Sequence, residues 1–121
     1  MKIEAVTDKQ FFLDHLDWLR GIPFSDMTYI DCLERCLTGK YQCLAGYIDG
    51  KPVGLMVYYI NGDSCWVVGL WAKNNYKKFS GKMFELLKNY GVKLVRCSSV
   101  HENFERLTGM KKLHTVYERY L

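Results

Sequence analysis

The sequence predicts an α/β fold, one mixed sheet with helices on both faces, in the order β-α-α-β-β-β-α-β-α-β. Three observations predict it. Apolar residues recur at helical spacing up to Gly39. From Tyr41 they give way to aromatic and β-branched runs separated by two tight-turn dipeptides. After Ala72, helical and strand-like segments alternate as far as Tyr120.

Lys2–Val6 is a short strand. Thr7 opens a helix, with Gln10 three residues on completing a capping box. Phe11, Phe12, His15, Leu16 and Leu19 form its apolar stripe, and Gly21 and Pro23 stop it. A second helix starts near Ser25 or Asp26, has its apolar positions Met27, Ile30, Leu33 and Leu37 three or four apart, and ends at Gly39. Tyr41–Ile48, Val53–Ile60 and Cys65–Trp71 form an antiparallel meander, because Asp49-Gly50 and Asn61-Gly62 both accept the positive φ of hairpin turns. The last of these strands, CWVVGLW, is apolar on both faces, as a covered central strand is.

A loop at Ala72–Ser80 leads into a helix running to about Asn89. That helix buries Met83, Phe84, Leu87 and Tyr90, and Gly91 caps it. Lys93–Cys97 follows by a crossover, which makes it parallel to the preceding strand. Glu102–Leu107 is a short helix closed by Gly109, and Leu113–Tyr120 is the final strand.

The 121 residues fit one domain, residues 1–121, and 49% hydrophobic residues supply its core without a metal or disulfide staple. No apolar run approaches the roughly 20 residues that cross a bilayer. MKIEAVTDKQ lacks the apolar stretch of a signal peptide, so the expected location is the cytoplasm, with no membrane partner. Five cysteines (Cys32, Cys36, Cys43, Cys65, Cys97) are an odd number without CxxC spacing, and core packing suits them better than a metal site.

Charge is unevenly placed. Ala72–Lys112 holds ten Lys/Arg against three acids, a balance of +7 that leaves −3 for the rest. A basic half points to an anionic partner, although a solvated surface has the same composition. Nucleic acid ranks below a phosphorylated small molecule, since Tyr76 and Phe79 with the lysines sit on one loop and not along a platform. No strand–GxSxG–helix elbow is present, which disfavours a Ser-His-Asp hydrolase. Trp66, Trp71, Tyr58 and Tyr59 line either an acceptor pocket or the core. His15 falls on the apolar face of the first helix as a hydrogen-bonded core or rim residue, and His114 shows no partner.

Two stretches carry the chemistry. Tyr76-Lys77-Lys78-Phe79-Ser80-Gly81 stands at a helix entrance, where unpaired N–H groups and the helix dipole attract anions. Ser98-Ser99-Val100-His101-Glu102-Asn103-Phe104-Glu105-Arg106-Leu107-Thr108-Gly109-Met110 follows the crossover strand. With the element order, clearest from Tyr41 to Tyr120, they resemble the Gcn5-related N-acetyltransferase (GNAT) superfamily. There the phosphate turn reads Q/R-x-x-G-x-G/A and the ending reads N-x-x-A-x-x-F-Y-E-K-x-G-F. Gly81, Phe104, Gly109 and apolar Met110 match. Tyr76 replaces Gln/Arg, Phe79 replaces the first glycine, Ser98 the asparagine and Glu105 the tyrosine.

The resemblance implies a mostly antiparallel sheet whose central strands splay to hold acetyl-CoA. Leu70, Trp71 and Ala72 would pair with its pantetheine arm. The N–H groups of Lys78, Phe79, Ser80, Gly81 and Lys82 would cradle the pyrophosphate, with Lys77, Lys78 and Lys82 meeting the phosphates. It implies an acetyl-CoA-dependent N-acyltransferase acting on an amine acceptor, or a degenerate derivative with weak or lost catalysis. The usual acid is replaced, because ionised Glu105 cannot donate a proton, and His101 is either a base or a surface cap. No carboxylate lies within Cys65–Trp71; only Asp63 flanks it. The run Cys65-Trp66-Val67-Val68, the altered turn and His101-x-x-Phe104 also resemble acetyltransferase-like proteins of short-tailed bacteriophages. That likeness implies the alternative of a non-catalytic virion or host-interaction protein, with a protein partner in viral assembly, located in a host cytoplasm or a virion.

Overall fold

The computed structural model describes residues 1–24, 27–98, 111–113 and 116–121. Its elements are β1 (Lys2–Ala5), α1 (Gln10–Asp14), α2 (Leu16–Arg20), α3 (Tyr29–Leu37), β2 (Gln42–Ile48), β3 (Lys51–Asn61), β4 (Ser64–Ala72), α4 (Tyr76–Asn89), β5 (Leu94–Ser98), β6 (Lys111–Leu113) and β7 (Val116–Tyr120). The strands form one seven-stranded sheet in the order β1-β2-β3-β4-β5-β7-β6. Only β4 and β5 pair in parallel; every other neighbouring pair is antiparallel. The expected mixed sheet with helices on both faces is what forms, and α4 supplies the crossover the parallel pair requires.

Strand alternation sends two sets of side chains to two cores. Met56, Tyr58, Cys65, Val67 and Leu70 meet Phe79, Met83, Phe84 and Leu87 of α4 on one face. Cys43, Leu55 and Val57 meet Phe12, Leu19, Cys32 and Cys36 of α1, α2 and α3 on the other. All five cysteines are free and buried within these layers.

Several expected boundaries move, each for a local reason. The capping box expected at Thr7 and Gln10 does not form. Instead Asp8 Oδ1 accepts from the Gln10 N–H at 3.0 Å, and α1 starts at Gln10. The single first helix is broken at His15, whose backbone leaves the helical region and whose Nδ1–H donates to the Phe11 carbonyl at 2.8 Å. The capping box belongs to α3: Thr28 Oγ1 accepts from the Asp31 N–H, and Asp31 Oδ2 accepts from the Thr28 N–H. That helix therefore starts at Tyr29, and Ser25 and Asp26 lie outside the described residues.

Asp49 and Gly50 both take positive φ, at 52° and 75°, as the first hairpin requires. In the second hairpin Gly62 alone does so, at 65°. The final strand is a hairpin, β6 paired with β7, rather than one strand from Leu113 to Tyr120. At the end of α4, Val92 N–H reaches the Leu87 carbonyl and Gly91 N–H the Lys88 carbonyl, a Schellman stop with Gly91 at φ 90°. The expected helix Glu102–Leu107 lies outside the described residues.

Candidate functional site

The seam at the centre of the sheet is the edge of β4 beyond its last described pair with β5. β4 and β5 pair from Ser64↔Leu94 to Val67↔Cys97, and among the described residues the ladder stops there. β4 continues to Ala72, held on its other side by β3 through Val57↔Gly69, Met56↔Leu70, Leu55↔Trp71 and Gly54↔Ala72. The register against β3 slips between Val57 and Tyr58, so Val68 is the extra residue of a β-bulge. The bulge reverses the alternation of β4: Cys65 and Val67 face α4, yet so does Leu70, while Trp71 faces the first three helices. Gly69 lies at the bend, where a Cβ would stand 3.0 Å from both Ile22 Cδ1 and Phe24 Cε1.

The direction of the backbone groups along this stretch of β4 follows from one hydrogen bond. Lys73 N–H donates to the Val53 carbonyl at 2.8 Å, so the backbone of Lys73, and by alternation that of Trp71 and Gly69, points to β3. The N–H and C=O groups of Leu70 and Ala72 therefore point into the seam. Of the three strand residues expected to hold an extended ligand, Leu70 and Ala72 present backbone groups to it, and Trp71 contributes a side chain on the opposite core. That indole stacks on Trp18 with centroids 4.3 Å apart at 16°, next to His15. Of the aromatic residues weighed for an acceptor pocket, Tyr58 is buried towards α4 and Tyr59 stacks on Tyr41.

The turn at Tyr76–Gly81 is not a turn. Asn75, in the left-handed region at φ 48°, caps α4 by accepting from the Lys78 N–H at 3.2 Å, and the helix begins at Tyr76. The expected loop to Ser80 is thus shortened. The Asn74-Asn75 pair was the signal for this start, since asparagine both caps helices and tolerates positive φ. The backbone donors expected from Lys78 to Lys82 are accordingly spent. Lys78 N–H serves the cap, Phe79 N–H reaches the Asn75 carbonyl at 3.0 Å, and Ser80, Gly81 and Lys82 lie in the helical ladder. The first-turn donors left over are those of Tyr76 and Lys77. Lys73, Lys77, Lys78 and Lys82 are exposed around this end.

Phe79 does not stand over the first turn of α4. Its side chain is 2% exposed and enters the core between α4 and the sheet. There it occupies the space that Cβ atoms would take at Gly46 and Gly54, each of which would lie 2.7 Å from the ring. Ser80 is also buried and donates to the Lys77 carbonyl at 3.1 Å. Gly81 is exposed, with nothing within 4 Å of a Cβ built there. Tyr76 turns inward, and its hydroxyl donates to the Leu70 carbonyl at 3.3 Å. Burial, and then the neighbouring Cys97 thiol, hold that hydroxyl well above the usual tyrosine range. The catalytic candidates His101 and Glu105 lie outside the described residues.

No protein-family model and no curated protein matches the chain. Solved structures do. A PaiA N-acetyltransferase from Thermoplasma acidophilum, in complex with coenzyme A, is 16% identical and superposes with a TM-score of 0.63 over 100% of both chains. A Bacillus subtilis acetyltransferase, in complex with CoA, is 12% identical, with a TM-score of 0.70 over 99% of this chain and 98% of the other. Tetrahymena Gcn5 is 13% identical, with a TM-score of 0.68 over 99% and 96%. At such identities the likeness is one of architecture. The chain has the fold of the Gcn5-related N-acetyltransferases.

Proposed function

We propose that this protein is an N-acyltransferase that binds acetyl-CoA along the free edge of β4 and passes its acyl group to an amine. The observation that carries the reading is the end of β4–β5 pairing at Val67 and Cys97, beside the bulge at Val68. It leaves the backbone groups of Leu70 and Ala72 directed into the seam, spaced to pair with an extended, amide-containing arm. The residues present fit the group. The N–H groups of Tyr76 and Lys77 and the ammonium groups of Lys73, Lys77, Lys78 and Lys82 suit its phosphates, and Phe79 lies in the core, clear of them. Acetyl-CoA supplies an activated thioester. The chain's part is to bind and align, because a free amine held against a thioester needs mainly proximity. The 121 residues act as one domain in this reading, and structural neighbours crystallised with coenzyme A support it.

Isothermal titration with acetyl-CoA tests it. The expected result is micromolar binding that weakens on Gly81→Asp, a change that meets no neighbour within 4 Å at its Cβ and adds a negative charge beside the phosphates. No heat at millimolar acetyl-CoA would end the proposal.

One observation favours a second reading, a non-catalytic protein on the same fold, of the kind the phage resemblance implies. The Leu70 carbonyl is already engaged by Tyr76. Binding of acetyl-CoA without acetylation of any amine in a broad panel would select this second reading.

A further inference from the structure

The altered first position of the turn has a place in the seam that its sequence does not suggest. Tyr76 is the first residue of α4, and its side chain packs on the cluster containing Leu70 of β4 and Cys97 of β5. Those two residues lie on β4 and β5, so the ring packs beside the last described pairs of the two strands. Leu70 and Ala72 alone among residues 69–73 aim their backbone groups into the seam, as the Lys73–Val53 hydrogen bond requires. The Leu70 carbonyl is therefore an acceptor that any strand-like ligand along this edge would need, and the Tyr76 hydroxyl donates to it.

We infer that Tyr76 is a built-in competitor for the ligand track on β4: its hydroxyl takes the place of an arm amide at the Leu70 carbonyl, and an acyl-CoA arm binds only by displacing it. The inference rests on the acyl-CoA reading above and deepens it by naming the residue that sets affinity. Displacement is feasible because the contact is weak. At 3.3 Å it is longer than the roughly 2.7–2.8 Å typical of O–H···O bonds. It is also specific to the arm. A ligand that meets only the exposed lysines and the start of α4 has no use for the Leu70 carbonyl and leaves Tyr76 in place.

The test compares wild type with Tyr76→Phe, which keeps the ring and removes only the donor. Both are titrated with coenzyme A, which has the arm, and with adenosine 3′,5′-bisphosphate, which lacks it. Tyr76→Phe is expected to bind coenzyme A about two- to tenfold more tightly, the range one neutral hydrogen bond spans, with the bisphosphate unchanged. In wild type carrying 3-fluorotyrosine, the fluorine resonance that disappears in Tyr76→Phe is expected to move with coenzyme A and not with the bisphosphate. Coenzyme A binding equally or more weakly to Tyr76→Phe, or leaving that resonance in place at saturation, overturns the competitor role and spares the acyltransferase reading. Silence of both ligands with both proteins overturns the two together.

Discussion

Gly46→Ala is the perturbation that most directly probes how the chain accommodates a phenylalanine where the resemblance expects glycine. A Cβ on Gly46 would stand 2.7 Å from Phe79 Cε2 and 3.0 Å from Met1 Sδ, with Phe79 Cδ2 at 3.4 Å. The Met1 Sδ is near the far end of a flexible side chain, so the ring is the obstacle. Forcing one methyl into such a contact costs about 1–3 kcal/mol. Phe79→Leu removes Cε2 and its own burial, and in that background the methyl has room. Gly46→Ala is then expected to be neutral, or to gain about 0.5 kcal/mol from the reduced freedom of the unfolded chain. The coupling between the two positions is therefore about 2 kcal/mol. Gly54 supplies the control: a Cβ there meets the same ring at 2.7 Å but also the Trp71 carbonyl oxygen at 2.7 Å, which is backbone and cannot turn aside. Gly54→Ala should remain costly in both backgrounds. Urea unfolding of the single and double variants, followed by tryptophan fluorescence at a common m-value, measures all of these. A Gly46–Phe79 coupling below about 0.5 kcal/mol, or an equal rescue of Gly54→Ala, would refute the packing described.

Two further outcomes are expected. Burial pushes the Cys65 and Cys97 thiols up to about 12 from an ordinary 9.0. Above pH 9 the unfolded chain loses these protons while the folded chain keeps them, so stability falls as pH rises and continues to fall until about pH 12. Each thiol should cost about 1.4 kcal/mol by pH 10. Urea midpoints at pH 8, 9 and 10 under reducing conditions check this, and Cys65→Ala with Cys97→Ala should flatten the decline. Thr28→Ala removes one half of the α3 capping box and should cost about 1 kcal/mol, whereas Thr28→Ser should retain most of it; the same unfolding assay reads both, and equal losses would deny the cap its role.

The elements whose physics is local were legible in the sequence. The meander was marked by its turn dipeptides, the α4 stop by Gly91, and the parallel strand by the crossover before it. What escaped depended on competition between local groups. His15 read as a hydrogen-bonded residue on the apolar face, which its ring bond to the Phe11 carbonyl matches, but its spacing gave no sign that the helix breaks there. Asn75 looked like loop and is a cap, which turned an anticipated phosphate turn into two turns of helix. The fate of Phe79 was hidden because its partners, Gly46 and Gly54, are distant in sequence and read as ordinary strand residues. Of the proposed site, Leu70 and Ala72 were named through the family likeness, while the direction of their backbone groups follows only from the register with β3. The inward Tyr76 was not, since no rule of spacing tells which way the first side chain of a helix will turn.

The extra residue at Val68 also governs how this protein tolerates sequence change. Along β4 the half-buried positions are Ser64, Trp66 and Val68, and past the bulge the half-buried indole is at Trp71 while Leu70 is buried. Upstream the permissive sites are even-numbered; downstream that rule fails, because the strand carries a one-residue phase slip in its mutational pattern. A polar replacement tolerated at Trp66 would break the core at Leu70, whereas deleting Val68 would restore a single phase and leave Leu70 and Trp71 on the layers they already occupy, opposite Met56 and Leu55. The slip thus resides in Val68 alone, and the residues on either side of it drift under two different phases of one strand.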